Sequence, residues 1–567
     1  MKNKVLNKHI IILISILIFI CNIILCQPDD KIISADKLRE KIALLTDRDI
    51  YCVGESLFFR AYNLSNKNLR STDWSKVLYI ELITPEGKPV LQYKYKYDTT
   101  GASGKINIPD DILTGNYYLR AYTKWMRNFS VYNYFHKIIK IINPYQAELL
   151  KPQSGLTIIS ESHLLDSLRN PDLEIKTDKQ VYQKREKVVL TVHGSNHLDS
   201  PANYCISVIK SGTVKEYLFP LPLVEVSQFQ PDYIPETRSA TLTGKVISRK
   251  DLLPIPFMHI SLSVFNSTKN TFTTLTDKYG HFYFSLPELT RQTEVYISSL
   301  QPNGELEPVI LVDNDFCSKE VQLPFVQLSQ GKEEQDLYNE LIFNAQISNK
   351  YRVVHHEERI NSSSETIPFY GITIQSVHFS DFIPLPSIED YFNEFLPSVV
   401  IRKRNREKYF QVLGPYSDLY IFKPLVMVDY VALNNVDWIL SISPKKVDRI
   451  EIVDKPYMMG DICYGGIIHI ISVDGDFAGV NLPSSGQFFK FMMYASPDSI
   501  YLKKPENPRI PDVRNLLYWN PKVQLKDRQS VNHLLFTGDT PGEYMAIIRG
   551  VDKLGNEINN WCKFNVR

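Results

Sequence analysis

Thr46-Asp47-Arg48-Asp49-Ile50-Tyr51-Cys52-Val53-Gly54-Glu55-Ser56-Leu57-Phe58-Phe59-Arg60-Ala61-Tyr62 decides how this chain is built, because it occurs twice. A degraded copy, Thr177-Asp178-Lys179-Gln180-Val181-Tyr182-Gln183-Lys184-Arg185-Glu186-Lys187-Val188-Val189-Leu190, follows 131 positions later without a gap. Thr46 maps to Thr177, Tyr51 to Tyr182 and Glu55 to Glu186. Self-similarity at that spacing predicts two copies of one domain, and so a modular chain rather than one catalytic unit. Gly54 is replaced by Arg185. That replacement argues against a left-handed turn shared by both copies, since only Gly adopts such a backbone freely.

The 567 residues predict about three to five domains. Tyr is abundant at 33 and Gly sparse at 24, a bias toward strands. A net charge of +1 gives no overall electrostatic case for nucleic acid or an acidic membrane surface. Lys2, Lys4 and Lys8 precede the apolar run Ile10 to Leu25, and polar Gln27-Pro28-Asp29-Asp30 follows. The run is short for a span of about 20 residues, so residues 1–26 read as a cleaved export signal. Once it is removed, no transmembrane segment is expected. Cys26 stands where a lipid anchor would attach, although Leu25 is bulkier than a lipoprotein signal prefers. Of the seven cysteines, Cys52, Cys205, Cys317, Cys463 and Cys562 lie scattered beyond the signal, which predicts buried thiols rather than a disulfide framework or metal knuckle.

Outward from the repeat, residues 27–145 read as a β-sandwich, with a strand at Leu78 to Ile83 closed by the turn Thr84-Pro85-Glu86-Gly87. Residues 168–235 hold the second copy, and Pro220, Pro222, Pro231 and Pro235 read as a linker. Residues 238–325 alternate as a third small sandwich with a tight turn at Asp277 to Gly280. Region 326–387 is a helical and linker stretch, with Leu337, Leu341, Ile342 and Ala345 at helical spacing over 329–350. Residues 388–480 form an α+β unit that opens on a short helix capped by Ser387. Residues 484–567 read as a separate C-terminal β domain.

The opening stretch, with Leu119-Arg120-Ala121-Tyr122-Thr123, resembles the macroglobulin-type (MG2) β-sandwich domain of alpha-2-macroglobulins. Thr243-Gly244-Lys245-Val246 and Thr276-Asp277-Lys278-Tyr279-Gly280-His281-Phe282 resemble a carboxypeptidase regulatory-like domain. Pro424 to Asp429, Ile442 to Val453 and Tyr464 to Ile470 resemble the plug domain of TonB-dependent outer-membrane receptors. In that family's pattern a Gly follows the Asp, whereas Tyr430 stands here. Together the segments resemble large Gram-negative envelope proteins that combine MG2 and plug domains. The implied fold is mostly β: tandem β-sandwich (macroglobulin/Ig-like) domains plus a small α+β plug-like domain. A transport barrel takes about 22 strands of roughly 10 residues each, far more than follow Gly479. The reactive Cys-Gly-Glu-Gln of thioester macroglobulins is absent, which excludes the covalent protease trap at the level of motif.

No sequence motif assembles a catalytic centre. His355-His356-Glu357-Glu358 is the densest group of metal-binding residue types, but zinc proteases set two His four apart around a Glu, and adjacent His point apart. Gly101-Ala102-Ser103-Gly104 reads as a loop and lacks the spacing of a nucleophile elbow. Arg402 to Lys408 is a basic run that reads as a solvated hairpin turn. Asp461-Ile462-Cys463-Tyr464-Gly465-Gly466 is either a ligand loop or, as the plug resemblance implies, a turn before a strand. Trp125, Phe129, Tyr132, Tyr134 and Phe135 are a binding edge or, more simply, packing between domains. No catalytic residue, cofactor or metal site is named. The reading is an exported, non-enzymatic envelope protein of the periplasm or outer membrane. Its partners would be envelope proteins, including an outer-membrane barrel made by another chain. The alternative is an accessory of TonB-dependent uptake that binds a carbohydrate, peptide or siderophore.

Overall fold

The computed structural model describes residues 39–64, 74–98, 100–151, 158–159, 169–194, 203–215, 217, 221–222, 231–265, 269–287, 292–300, 307–326, 332–351, 368–404, 407–495, 509–525, 530–551 and 557–567. The chain is mostly strand, arranged as three β-sandwiches and one small α+β unit.

In the first sandwich, Ile42–Thr46, Ser56–Asn63 and Ala102–Asn107 form one sheet. The other runs Ile50–Cys52, Phe135–Ile142, Gly115–Tyr122, Val77–Ile83, Pro89–Lys96. Leu44, Phe59, Ile80, Leu82 and Leu119 fill the space between them. Glu81 and Arg120 lie opposite each other on adjacent strands, both buried, with the guanidinium Nε donating to the carboxylate at 2.8 Å. Burial of two such charges is tolerable only because they pair with good geometry. Ala102 and Ser103, expected in a loop, begin a strand instead. Gly104 allows it, since a Cβ there would approach the Tyr95 ring to 2.2 Å.

The second sandwich departs from the expected division of the chain. Leu173–Thr177 and Lys187–Gly194 form a sheet with Ser530–Phe536. Asn203–Lys210 is flanked on both edges by Leu516–Gln524 and Gly542–Val551, and Val181–Tyr182 pairs with the last strand, Glu557–Val566. Regions 168–235 and 484–567 are therefore halves of one sandwich, not two domains. The physical reason is edge satisfaction: strands of the first half alone would leave rows of unpaired backbone groups on both sheets. Gln487–Met492 also leaves the expected C-terminal unit, pairing instead with Gln292–Ser299 of the third sandwich. There it completes a sheet with Asn270–Leu275 and His259–Phe265, opposite the sheet of His281–Ser285, Thr241–Ser248 and Pro308–Val312.

The repeated stretch makes the same corner twice, and one expectation about it fails. Arg185 has φ +57° and Gly54 has φ +79°, so the left-handed turn is shared after all. The Arg185 side chain holds the unfavourable backbone in place. Its Nε and Nη2 grip Asp539 at 2.7 and 2.5 Å, and Nη2 also reaches the Ile510 carbonyl at 2.7 Å.

The helix Lys332–Lys350 lies between the first two sandwiches. Leu341 and Ala345 cover Ile50, Cys52 and Ile142 of the first. Lys210 of the second reaches Glu340 at 2.5 Å, and Asn344 bonds Asn515 at 3.0 Å. The α+β sheet runs Gln375–His378, Val447–Val453, Ile467–Ser472, Leu425–Val428, Val431–Ala432. Its first strand lies in the stretch expected to be linker, so the unit begins before residue 388. Helix Ile388–Phe395 packs on it, opened by a capping box in which Ser387 Oγ accepts from the Asp390 amide at 3.2 Å. Among the described residues no helix is long and apolar enough to cross a membrane.

Candidate functional site

Val428 pairs with Val431 across a two-residue turn, so Asp429 and Tyr430 occupy its two central positions. Both are left-handed, at φ +47° and +69°. Hairpins of this kind ordinarily use Asn-Gly or Asp-Gly, and a Tyr at the second position is strained. Four of the seven non-Gly residues with positive φ among the described residues meet here: Asp429, Tyr430, Phe477 and Ala478. The Asp429 carboxylate holds them, accepting from the Ser472 amide at 2.9 Å, the Ser472 hydroxyl at 2.5 Å and the Phe477 amide at 2.8 Å. Strain on this scale persists only where surrounding bonds over-determine the backbone.

A buried polar chain runs from this turn. The Tyr430 N–H donates to His469 Nε2 at 3.2 Å. Nε2 is therefore the acceptor nitrogen, and Nδ1 carries the proton of the neutral ring. Nδ1 lies 2.6 Å from the Tyr370 hydroxyl and donates to it. The Tyr370 O–H is then free to donate to Glu451 Oε2 at 2.6 Å, and Glu451 Oε1 accepts from Arg449 Nε at 2.8 Å. Burial, then the Arg449 and Lys269 charges, pushes His469 down to about 3, which keeps it neutral. Burial and the Glu451 carboxylate push the Tyr370 hydroxyl far up. Every proton in the chain has one acceptor, so the arrangement braces the turn and leaves no activated nucleophile.

The turn is also a joint. The Tyr430 carbonyl accepts from the Ser263 hydroxyl at 2.8 Å and from the Thr271 hydroxyl, both on the third sandwich. Tyr464 reaches Thr273 Oγ1 at 2.9 Å and His259 Nε2 at 2.7 Å on the same sheet. With one side seated on the sandwich, the α+β unit exposes large apolar side chains elsewhere. Ile372 is 92% and Ile383 85% exposed, and Ile374, Ile421 and Met458 also face solvent.

The residues singled out from the sequence fall as follows. His355, His356, Glu357 and Glu358 lie outside the described residues. Arg402 to Lys408 spans a hairpin between Val399–Arg404 and Glu407–Val412, with Lys408 paired to Glu389 at 2.9 Å; Asn405 and Arg406 lie outside the described residues. Asp461 to Gly466 forms a hairpin turn and its second strand. A Cβ on Gly465 would meet the Phe422 carbonyl at 2.1 Å, so this loop is packed rather than open. The aromatic segment joins domains: Tyr122 stacks on Tyr79 and Tyr134, and the intervening Lys124 bonds Thr241 and Thr243 of the third sandwich at 3.1 Å. Cys52, Cys205 and Cys317 are buried free thiols, and Cys463 and Cys562 are half-buried free thiols. Among the described residues no group of three His, Cys, Asp or Glu is placed to hold a metal.

The polar chain itself escaped sequence reasoning. Two signals pointed to it: His469 interrupts an otherwise aliphatic run, Ile467-Ile468-His469-Ile470-Ile471, and Tyr430 follows Asp429 where Gly is expected.

No protein-family model and no curated protein matches the chain. Among solved structures it is similar to Escherichia coli alpha-2-macroglobulin activated by porcine elastase, at 9% identity and TM-score 0.23 over 93% of this chain and 44% of that one. It is also similar to trypsin-activated alpha-2-macroglobulin from Escherichia coli, at 9% identity and TM-score 0.22 over 93% and 41%. Salmonella alpha-2-macroglobulin reacted with methylamine gives 9% identity and TM-score 0.22 over 93% and 39%. The chain spans less than half the length of these proteins.

Proposed function

We propose that this chain is an exported, non-enzymatic multidomain envelope protein that mediates protein–protein interaction at the outer membrane. In this reading the sandwiches position the α+β unit, and the unit docks on a β-barrel made by another chain. The observation that carries the reading is the contrast within that unit. Its interior is closed by the Tyr430–His469–Tyr370–Glu451–Arg449 chain, while isoleucines at positions 372 and 383 stand almost wholly in water. Large apolar side chains left in water on this unit support a contact surface there.

A photo-cross-linking residue at position 372 or 383, in cells producing the full chain, tests this. An outer-membrane β-barrel captured in intact envelopes supports the reading, and Ile372→Asp with Ile383→Asp should abolish its co-purification. Capture of soluble periplasmic proteins only, or of nothing, would sink it.

A further inference from the structure

The first sandwich meets the third through two buried carboxylates. Glu40, just ahead of strand Ile42–Thr46, and Glu236, just ahead of strand Thr241–Ser248, are each 1% exposed. Two adjacent residues tie them together. The Ser75 amide donates to Glu40 Oε1 at 2.8 Å, and the Lys76 amide donates to the Glu236 carbonyl at 2.7 Å. The Lys76 carbonyl in turn accepts the Tyr97 amide at 2.9 Å. The Glu236 charge bears on Glu40, and the Glu40 charge bears on the Tyr97 hydroxyl.

The bonding around this cluster is lopsided. Glu236 Oε1 accepts three donors: the Tyr79 hydroxyl at 3.1 Å, the Thr241 amide at 2.7 Å and the Thr241 hydroxyl at 2.9 Å. Its Oε2, equally buried, accepts none. The Ser75 and Tyr97 hydroxyls, on side chains 2% and 5% exposed, also have no hydrogen-bond partner. Buried polar atoms in native proteins are satisfied by protein, by water or by an ion. Three bare oxygens around one pair of carboxylates therefore mark a bound group.

Charge decides between water and an ion. The basic side chains nearby are bonded elsewhere. Lys124 Nζ donates to the Thr241 carbonyl and hydroxyl and to the Thr243 hydroxyl, all at 3.1 Å. Lys94 pairs with Asp315 at 2.6 Å, and both lysines bear on Glu236 only from a distance. Arg60, which also bears on Tyr97, bonds the Thr100 carbonyl at 2.5 Å. Glu40 has a neighbour of its own sign and no basic partner among the described residues. Water would fill the missing hydrogen bonds and leave two like charges buried together, which is costly. A cation does both. The bare atoms are all oxygen, from carboxylate and hydroxyl groups, which suit a hard cation rather than a soft metal.

We propose that Glu40, Glu236, Ser75 and Tyr97 hold a hard, oxygen-preferring cation that fastens the first sandwich to the third. The proposal is independent of what the α+β unit binds.

The full mature chain, stripped with a chelator and dialysed into a tetramethylammonium buffer, is titrated with calcium and separately with sodium. Saturable binding of one ion per chain is expected from calorimetry, with a raised thermal midpoint and slower backbone exchange at Ser75, Lys76 and Thr241. Ser75→Ala removes a hydroxyl that has no bond within the protein, so the ion-free midpoint should stay level while affinity falls about tenfold. Glu236→Gln keeps an acceptor for the three donors and sets an amide NH2 in place of the bare oxygen, so the response to the ion should vanish in a chain that still folds. No response of the parent to either ion, or an undiminished response in Glu236→Gln, overturns the proposal. So does a midpoint raised by acid and by neither ion, which would make a shared proton the occupant.

Discussion

At the first corner, Asp47 Oδ1 accepts the Tyr51 hydroxyl at 2.7 Å and the Phe58 amide at 2.8 Å. At the second, Asp178 Oδ1 accepts the Tyr182 hydroxyl at 2.7 Å and the Val189 amide at 2.8 Å. Glu55 receives the Cys52 amide at 2.7 Å, and Glu186 receives the Gln183 amide at 2.6 Å. The bonds match, but the surroundings do not. Asp47, Arg48 and Asp49 are buried, because Arg549 reaches the Thr46 carbonyl, Lys215 donates to Asp49 at 2.9 Å and Asn515 donates to Glu55 at 2.9 Å, all from the second sandwich. Asp178 and Lys179 face solvent. Local sequence thus writes the corner, while the neighbouring domain decides whether it is a joint or a surface loop. Tyr51, Tyr182, Glu55 and Glu186 act as builders of the corner in both places.

The largest expected difference lies in removing the carboxylate. Asp47→Ala takes a 3.1 Å partner from Arg48, which is buried and left with Glu55 and the Ile50 carbonyl. Taking the buried acceptor from the Tyr51 hydroxyl and the Phe58 amide costs about 1–3 kcal/mol for each group left unsatisfied, and the loss should appear as faster hydrogen exchange throughout the first sandwich. Asp178→Ala removes solvent-accessible hydrogen bonds and should cost about 1 kcal/mol, confined to the second. Equal costs in the two sandwiches would break the comparison.

Much of this was legible from residues alone. The gapless repeat located both corners, and Ser387 with the apolar spacing after it located the helix Ile388–Phe395. What stayed hidden is long-range. Nothing near Lys187 announces that its strand pairs with Phe536, because register is a property of two faces meeting, not of one segment. The repeat therefore suggested two complete domains where the second copy is half of one. The Gly54-to-Arg185 exchange misled for a related reason: the tether that steadies the left-handed Arg185 is Asp539, and its relevance emerges only once the second sandwich closes. The polar chain behaves likewise. Tyr370 is 99 residues from His469 in sequence, and no local pattern joins them.

pH separates the corners next. Burial pushes Asp47 up to about 6, outweighing Arg48 and the Tyr51 and Phe58 hydrogen bonds. For Asp178 slight burial is outweighed by the Tyr182 and Val189 hydrogen bonds, so its carboxyl lies below the ordinary value of 3.8. The linkage signs are opposite. Asp47 contributes stability that is full below about 3.8 and lost as pH rises through about 6. Asp178 contributes stability present above the ordinary carboxyl value and lost as pH falls through its lowered one. Thermal midpoints of Asp47→Asn, referenced to the parent, should therefore rise relative to it between pH 4 and pH 7, as the parent's buried carboxyl ionises. Asp178→Asn should show its relative gain only toward acid. A shared sign would mean that both carboxylates sense the same environment.

The smallest expected effect concerns the left-handed residue itself. Gly54→Ala adds a Cβ 2.9 Å from Asp110 Oδ1 and 3.0 Å from Asn349 Nδ2, at φ +79°. Strain and crowding together should cost about 1–2 kcal/mol. Arg185→Gly relieves the strain at φ +57° but gives up the Asp539 grip and the Ile510 bond, both partly exposed. Relief of about 1 kcal/mol against loss of a bidentate surface pair worth about the same leaves a change within about 0.5 kcal/mol. Arg185→Ala keeps the strain without the grip and should be the worse of the two by about 1 kcal/mol, read from denaturation of the second sandwich. If Ala and Gly at 185 prove equal, the left-handed turn carries no strain there, and its kinship with Gly54 is one of shape alone.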